Sequence, residues 1–446
     1  MELIGARPGR KVIIYFAATI VVGTIFLYLP ISSAGDSIGL IDAFFTSTSA
    51  VCVTGLTVLD TGSDFSFFGQ IVILVLIQLG GLGIMTFATS LLMMMGARVS
   101  FYDRIGIFEN FGNWTRTGTI LAAIILTTIA IEGLGAVALY AQFSQEFPSD
   151  VAVFYSIFHS VSAFCNAGFS TFPNSLESYN GNLYILGVFS LLIIIGGLGF
   201  IVIGEIFSRL FRFRSMLSLH AKLCLSVTAI LLGAGTIIFF AIEYNNSFGD
   251  MSFIDSLSNA FFQAVTCRTA GFNAIPQVNL TEVGLLVTLI LMFIGACPGS
   301  TGGGIKTTTG AVILLLVYNR FRGRKSIPVF KRSIDNDSIR RALTATLLAS
   351  LIIVVMFALL MLAEQRPQPH QLSQGWFVDN LFEVVSAFGT VGLSLGITGH
   401  ATVTGKLIII VLMFIGRVGL LTLAFSLARP AEPGEIVYAG ESVMIG

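Results

Sequence analysis

One short phrase recurs four times along the chain, at intervals of roughly a hundred residues: "SAVCVTGL", "SAFCNAGF", "VTCRTAGF" and "SAFGTVGL". It sets Gly55, Gly168, Gly271 and Gly392 in register, each followed by Leu or Phe, with Thr54, Asn166, Thr269 and Thr390 just before. A second phrase follows each glycine in the same order: "QLGGLG" at 78, "IIGGLG" at 194, "FIGACPG" at 293 and "FIGRVG" at 414. Two ordered phrases repeated four times define four copies of one unit, and any fold of this chain must accommodate them as equivalents.

Between the phrases lie apolar runs. With 55% hydrophobic residues, 11% charged and a mean hydropathy of +0.89, the chain is far outside the soluble range. The first run of each unit falls near 12–30, 119–141, 222–242 and 342–363, and the second near 69–95, 183–207, 283–317 and 405–428. Runs of about 18 residues or more cross a bilayer core as helices. The intervening segments "LIDAFFTSTSA", "AVFYSIFHSVSA", "FIDSLSNAFFQAV" and "WFVDNLFEVVSA" are too short for that and are expected to dip in and return. The predicted fold is therefore an all-α polytopic membrane protein of four tandem helix, pore-loop, helix repeats in pseudo-fourfold arrangement around one ion pore. Its units are 1–95, 96–215, 216–330 and 331–428, with a tail at 429–446. The first run follows Arg7, Arg10 and Lys11 like a leader, but it is too long and lacks a cleavage site, so a retained helix is expected. Cys52, Cys165, Cys224, Cys267 and Cys297 form no metal-ligand spacing and read as free thiols.

Of the 24 Lys and Arg, 19 lie at the N-terminus, in the 96–118, 208–222 and 318–341 connections, or past the last run. Those are the inside loops, and eight spans put both termini in the cytoplasm. The opposite loops carry acids such as Asp36, Asp60, Glu146 and Glu177, which would concentrate cations at an outer mouth. No convergent nucleophile and base stands among the few intramembrane titratable groups, so an enzyme is not expected; nothing points to nucleic acid.

Non-helical backbone at membrane depth must be buried or line a wet cavity. Four such loops round one axis would turn carbonyl oxygens to a shared centre, where they can replace the hydration shell of a potassium ion. Val53, Thr54 and Gly55, Asn166, Ala167 and Gly168, Thr269, Ala270 and Gly271, and Thr390, Val391 and Gly392 are the candidate filter. The alternative is four glycines ending extracellular turns. These units resemble the potassium-translocating subunits of the Trk, Ktr and plant high-affinity potassium transporter superfamily, over nearly the whole chain. The eight-span length and the ending "GESVMIG" are more similar to the bacterial Ktr membrane subunit than to the longer Trk one. The resemblance implies a homodimer in the bacterial plasma membrane, each protomer with its own pore, seated on a cytoplasmic RCK-type (KtrA-like) regulatory ring that holds the nucleotide. It also implies potassium preference, because serine replaces the first-repeat filter glycine in some sodium-preferring plant members and all four positions here are glycine.

"GACPGSTGGGIKTTTG", residues 295–310, interrupts the second span of the third unit. It imitates a phosphate-binding loop, but Ile305 stands where the glycine before the lysine belongs. Pro298 and the glycines after it must break the helix. The resemblance makes this element an intramembrane gate below the filter, formed by Gly299, Ser300, Thr301, Gly302, Gly303, Gly304 and Lys306. Register aligns Gly295-Ala296 with Gly416-Arg417, which places Arg417 at the depth of the loop, either donating to carbonyls of 298–304 or packing and snorkelling. Lys306 is expected to snorkel to the cytoplasmic side, with loop contacts as the alternative. Arg268 is expected to turn outward to an acid, or else to act as a charge at the mouth. Glu132 and Glu205 are possible salt-bridge partners, His159 a pore-helix residue and His220 a helix-end residue. The basic connection "NRFRGRKSIPVFKRSIDNDSIRRAL" carries a helix-compatible charge pattern and would meet lipid or the regulatory ring. A sodium-permeable or sodium-coupled transporter of the same superfamily, or an alternating-access carrier, remain competing readings.

Overall fold

Each unit opens with a long helix: α1 (Pro8–Tyr28), α4 (Arg116–Phe143), α8 (Leu219–Glu243) and α12 (Asn336–Ala363). Among the residues described by the computed structural model, 8–94, 116–210, 217–324, 326–365, 369 and 373–419, these four are long and apolar enough to cross a membrane on their own. Their outer faces carry exposed Ile14, Leu134, Ile237 and Leu347, a pattern that suits lipid rather than water. The 96–115 connection, the tail at 429–446 and its "GESVMIG" ending lie outside the described residues.

A short helix follows in every unit: α2 (Leu40–Val51), α5 (Ser149–Phe164), α9 (Phe253–Thr266) and α13 (Trp376–Gly389). Each has an Asp in its first turn, at Asp42, Asp150, Asp255 and Asp379, which offsets the positive end of the helix dipole. The other, partly negative end runs straight into the glycine phrase.

The second helices depart from continuous spans. The helix α3 (Phe67–Met94) is unbroken, but the expected run at 183–207 is two helices, α6 (Leu183–Leu198) and α7 (Phe200–Leu210), bent by 103° at the break. Gly199 sits there with φ +85°, and a Cβ on it would lie 2.7 Å from the Pro298 carbonyl, so the break makes room for the 295–310 segment. In the third unit α10 (Glu282–Phe293) and α11 (Thr307–Phe321) flank that segment, and α14 (Val403–Val418) completes the fourth.

The second phrase has a packing reason. A Cβ on Gly80, Gly196 or Gly416 would strike the carbonyl oxygen of Val51, Phe164 or Phe388, at or next to the last residue of the short helix of the same unit. Glycine lets the two helices touch backbone to backbone there. In the third unit Gly295 meets the Gly303 carbonyl instead, because the chain has turned away from helix.

Acids at the far ends of α8 and α12 tie the first helix of the third and fourth units to the later helix of the same unit. Glu243 accepts from the Thr281 hydroxyl (2.6 Å) and Glu364 from that of Thr402 (2.7 Å), and those threonines cap α10 and α14. Between the first and fourth units, Lys406 pairs with Asp42 at 2.7 Å. The basic connection is not helical throughout: β1 (Ile327–Val329) and β2 (Arg332–Ile334) form an antiparallel hairpin, with Phe330 and Lys331 at its turn in the left-handed region. Pro328 and the β-branched residues beside it outweigh the charge spacing. The expected 330/331 unit boundary falls at that turn.

Candidate ion pathway

The four filter phrases alternate in backbone hand. Val53 (φ +54°), Asn166 (+58°), Thr269 (+70°) and Thr390 (+48°) are left-handed, as are Gly55 (+89°), Gly168 (+71°), Gly271 (+78°) and Gly392 (+95°), while Thr54, Ala167, Ala270 and Val391 between them are not. Four non-glycine residues, three of them β-branched, are held in that region by their surroundings rather than by preference.

The glycines close into a ring. A Cβ on Gly55 would lie 2.5 Å from the Ala167 carbonyl oxygen, and one on Gly168 2.9 Å from that of Ala270. On Gly271 it would strike the Val391 oxygen, and on Gly392 that of Thr54. Each unit thus abuts the next, in chain order, and the fourth abuts the first. Ten of the twelve filter residues named from the sequence are buried, and Gly168 and Gly392 are half-buried where the ring faces the outer cavity. The hydroxyls of Thr54 and Thr390 are buried with no protein partner among the described residues, which leaves acceptor oxygens unused at the ring.

Hydroxyls at the end of each short helix pin the phrases, and sequence reasoning missed them. Ser49 and Ser386 accept the amide protons of Gly55 and Gly392, both at 3.1 Å, while Ser162 and Thr266 donate to the carbonyls of Phe169 (2.7 Å) and Phe272 (2.8 Å). Three of these are the first letters of the repeated phrase. In the third unit the hydroxyl sits one residue nearer the glycine, a slip that aligning on glycine alone conceals.

Below the ring lies the 295–310 segment. A Cβ on Gly302 or Gly303 would strike the hydroxyl oxygen of Thr269 or Thr390, so the loop presses against the inner ends of two filter phrases. Thr301 reaches a third unit, its amide donating to the Gly196 carbonyl (3.2 Å) and its hydroxyl to that of Phe164 (3.1 Å). The Ser300 hydroxyl closes a local turn on the Cys297 carbonyl at 2.6 Å, and Gly299 and Gly304 take positive φ. Arg417, 3% exposed, donates through one Nη to the Thr301 carbonyl and through the other to that of Gly80 at 2.9 Å. The loop thus touches or is tethered to all four units.

Two expectations about cations are corrected. Lys306 does not snorkel: its Nζ turns back and donates to the carbonyls of Gly302 (2.7 Å) and Gly303 (3.3 Å), since the bent loop offers acceptors nearer than the membrane edge. Arg268 turns away from the ring, but to the Thr228 hydroxyl on α8 (3.4 Å) rather than to an acid, and no described acid pairs with it. Glu132 meets Gln78 (3.1 Å) and the Cys165 thiol (3.7 Å), and Glu205 accepts from the Ser218 amide (2.8 Å). All five cysteines are free and buried.

Above the ring a cavity of about 360 Å³ opens outward, lined by the four filter glycines together with polar side chains such as Asp60, Glu177 and Asn174. Partial burial raises the Glu177 carboxyl above its usual range.

Four re-entrant units closing one ring define an all-α polytopic membrane protein built from pore-loop repeats. The chain matches the TrkH family of cation transport proteins over residues 7–434 and belongs to it. It is 41% identical over 443 residues to the Ktr system potassium uptake protein B of Bacillus subtilis, covering 98% of this chain and 97% of that protein. It is 40% identical over 445 residues to the potassium/sodium uptake protein NtpJ of Enterococcus hirae, with 98% and 97% covered. The crystal structure of the potassium transporter TrkH from Vibrio parahaemolyticus shares the fold, with a TM-score of 0.79 at 21% identity over 96% of this chain and 86% of that one.

Proposed function

We propose that the chain is the potassium-translocating pore subunit of an uptake system, gated by the 295–310 loop under a cytoplasmic nucleotide-binding subunit. The observation that carries this reading is the closed glycine ring, whose alternating backbone hand lines acceptor oxygens along one path. The relative named for potassium uptake and the Ktr-system naming support the cargo and a regulatory partner. The pore would be shut from below by a loop tethered to Arg417 and Lys306, whose charges sit where a descending cation must pass. Basic inside loops set the termini in the cytoplasm of the proposed homodimer, and the exposed Phe330 turn of the hairpin offers a contact for the regulatory ring.

The test is rubidium and sodium uptake by reconstituted protein, with and without Gly392→Ser. A side chain there collides with the Thr54 carbonyl and carries a strained φ, so selectivity for rubidium should fall. Equal selectivity before and after would remove the filter assignment. The relative named for both potassium and sodium favours a second reading, a sodium-permeable pore, which predicts comparable uptake of both ions by the unaltered protein.

A further inference from the structure

Behind the filter, at the position nine residues before the glycine, the short helices of the second and fourth units carry His159 and Glu383, both fully buried. Each faces a serine two residues past the glycine. His159 Nε2 is 3.0 Å from the Ser170 hydroxyl, and Glu383 accepts from the Ser394 hydroxyl (2.8 Å) and from that of Thr398. His159 Nδ1 lies 2.8 Å from the Tyr155 carbonyl, which can only accept, so the ring proton is on Nδ1 and Nε2 is the acceptor. The imidazole is held in place by stacking on Phe172 at 4.4 Å.

The proton of each serine therefore points backward. One lone pair of Ser170 takes the Phe172 amide and one of Ser394 takes the Gly396 amide, both at 3.0 Å. The Thr398 hydroxyl lies 3.0 Å from the Ser394 oxygen but gives its proton to Glu383, and a hydroxyl has two lone pairs, so one remains on each serine oxygen. Both serines line the outer cavity, and since the glycine ring closes in chain order, the second and fourth units stand on opposite sides of it. The other two units lack this construction: Gln263 pairs with Gln277 at 2.7 Å, and the buried Thr46 hydroxyl has no partner among the described residues.

We propose that the mouth carries a seat for a partly hydrated monovalent cation above the glycine ring, made by the Ser170 and Ser394 oxygens on opposite sides, with His159 and Glu383 as its positioning residues. The inference rests on the reading of the ring as the ion path. By taking the serine protons, the two buried acceptors leave oxygen lone pairs, rather than O–H groups, to meet the arriving ion. The seat acts on capture, before the ion enters the ring, so it governs KM rather than the maximal rate.

Rubidium uptake as a function of concentration, with melting temperatures of the same full-length samples, tests it. Ser170→Ala and Ser394→Ala should each raise KM about three- to tenfold, the range expected for one lost hydrogen-bonding group, with the maximal rate and melting temperature near those of the unaltered protein. His159→Phe keeps the aromatic packing and removes the acceptor; it should raise KM alone but add nothing to Ser170→Ala. Unchanged KM in both serine variants, or an equal effect of His159→Phe with and without Ser170, would overturn the seat. Glu383→Gln should raise KM as well; if that variant does not fold, the serine variants and His159→Phe still decide. Failure of the unaltered protein to move rubidium would instead remove the underlying reading, so the two failures are distinguishable.

Discussion

Arg417 is a buried charge whose described partners are backbone carbonyls, one on the loop and one on the first unit. Among the described residues its Nε has no partner, so the guanidinium is only partly compensated, and the closed arrangement of the proposed gate would stand on two bonds. Hydrogen bonds to a charged group contribute roughly 1.5–3 kcal/mol, so removing the charge should shift the balance towards open about tenfold or more. We expect Arg417→Gln to raise rubidium flux into liposomes by that order, measured at equal protein loading; unchanged flux would make Arg417 a packing residue. At this scale the sequence was readable where register sufficed, since aligning Gly295-Ala296 with Gly416-Arg417 put the arginine at loop depth. It was silent on direction. Whether Lys306 turned outward or back depended on where the broken helix left its carbonyls, which no spacing encodes.

The elements are stopped and started by identifiable residues, and α12 is a clear case. Asp335 caps it, its carboxylate accepting from the Ser338 amide (2.9 Å) and hydroxyl (2.7 Å), and these bonds hold the carboxyl below its usual range. A lowered folded value means the contribution is complete above the free-aspartate value of about 4 and is lost as pH falls through the folded one. Asp335→Ala should therefore cost about 1 kcal/mol at neutral pH, seen as a lower melting temperature, with the gap to the unaltered protein closing in acid. Helices were legible wherever an apolar run was long. The break at Gly199 was not, because "IIGGLGF" is as apolar as a continuous span and the cause lies in Pro298 and Gly299 of another unit. The hairpin at 327–334 was missed for the opposite reason: charge spacing spoke louder than Pro328 and its β-branched neighbours.

On the scale of the whole molecule, the ring must close between parts far apart in the chain. The Lys406–Asp42 pair joins the fourth unit to the first across 364 residues, and both side chains are largely shielded. Reversing both, Asp42→Lys with Lys406→Asp, should restore much of the melting temperature lost in either single variant, with a coupling of about 0.5–1 kcal/mol; additive losses would mean the pair does not contribute. The fourfold plan was the most legible property of all, because repetition survives in sequence. The order of units round the ring and the diagonal placement of Ser170 and Ser394 were not, since both depend on which unit neighbours which.

The tethers of the loop have a further consequence. The oxygens of Thr301, Gly302 and Gly303 that accept from Arg417 and Lys306 are the same kind of ligand that a potassium ion needs. An ammonium and a guanidinium on short leashes thus occupy the berths that a passing ion would take. In the proposed gate the shut state would then be less a wall than a full harbour, and ions arriving from above would compete directly with the residents for their moorings.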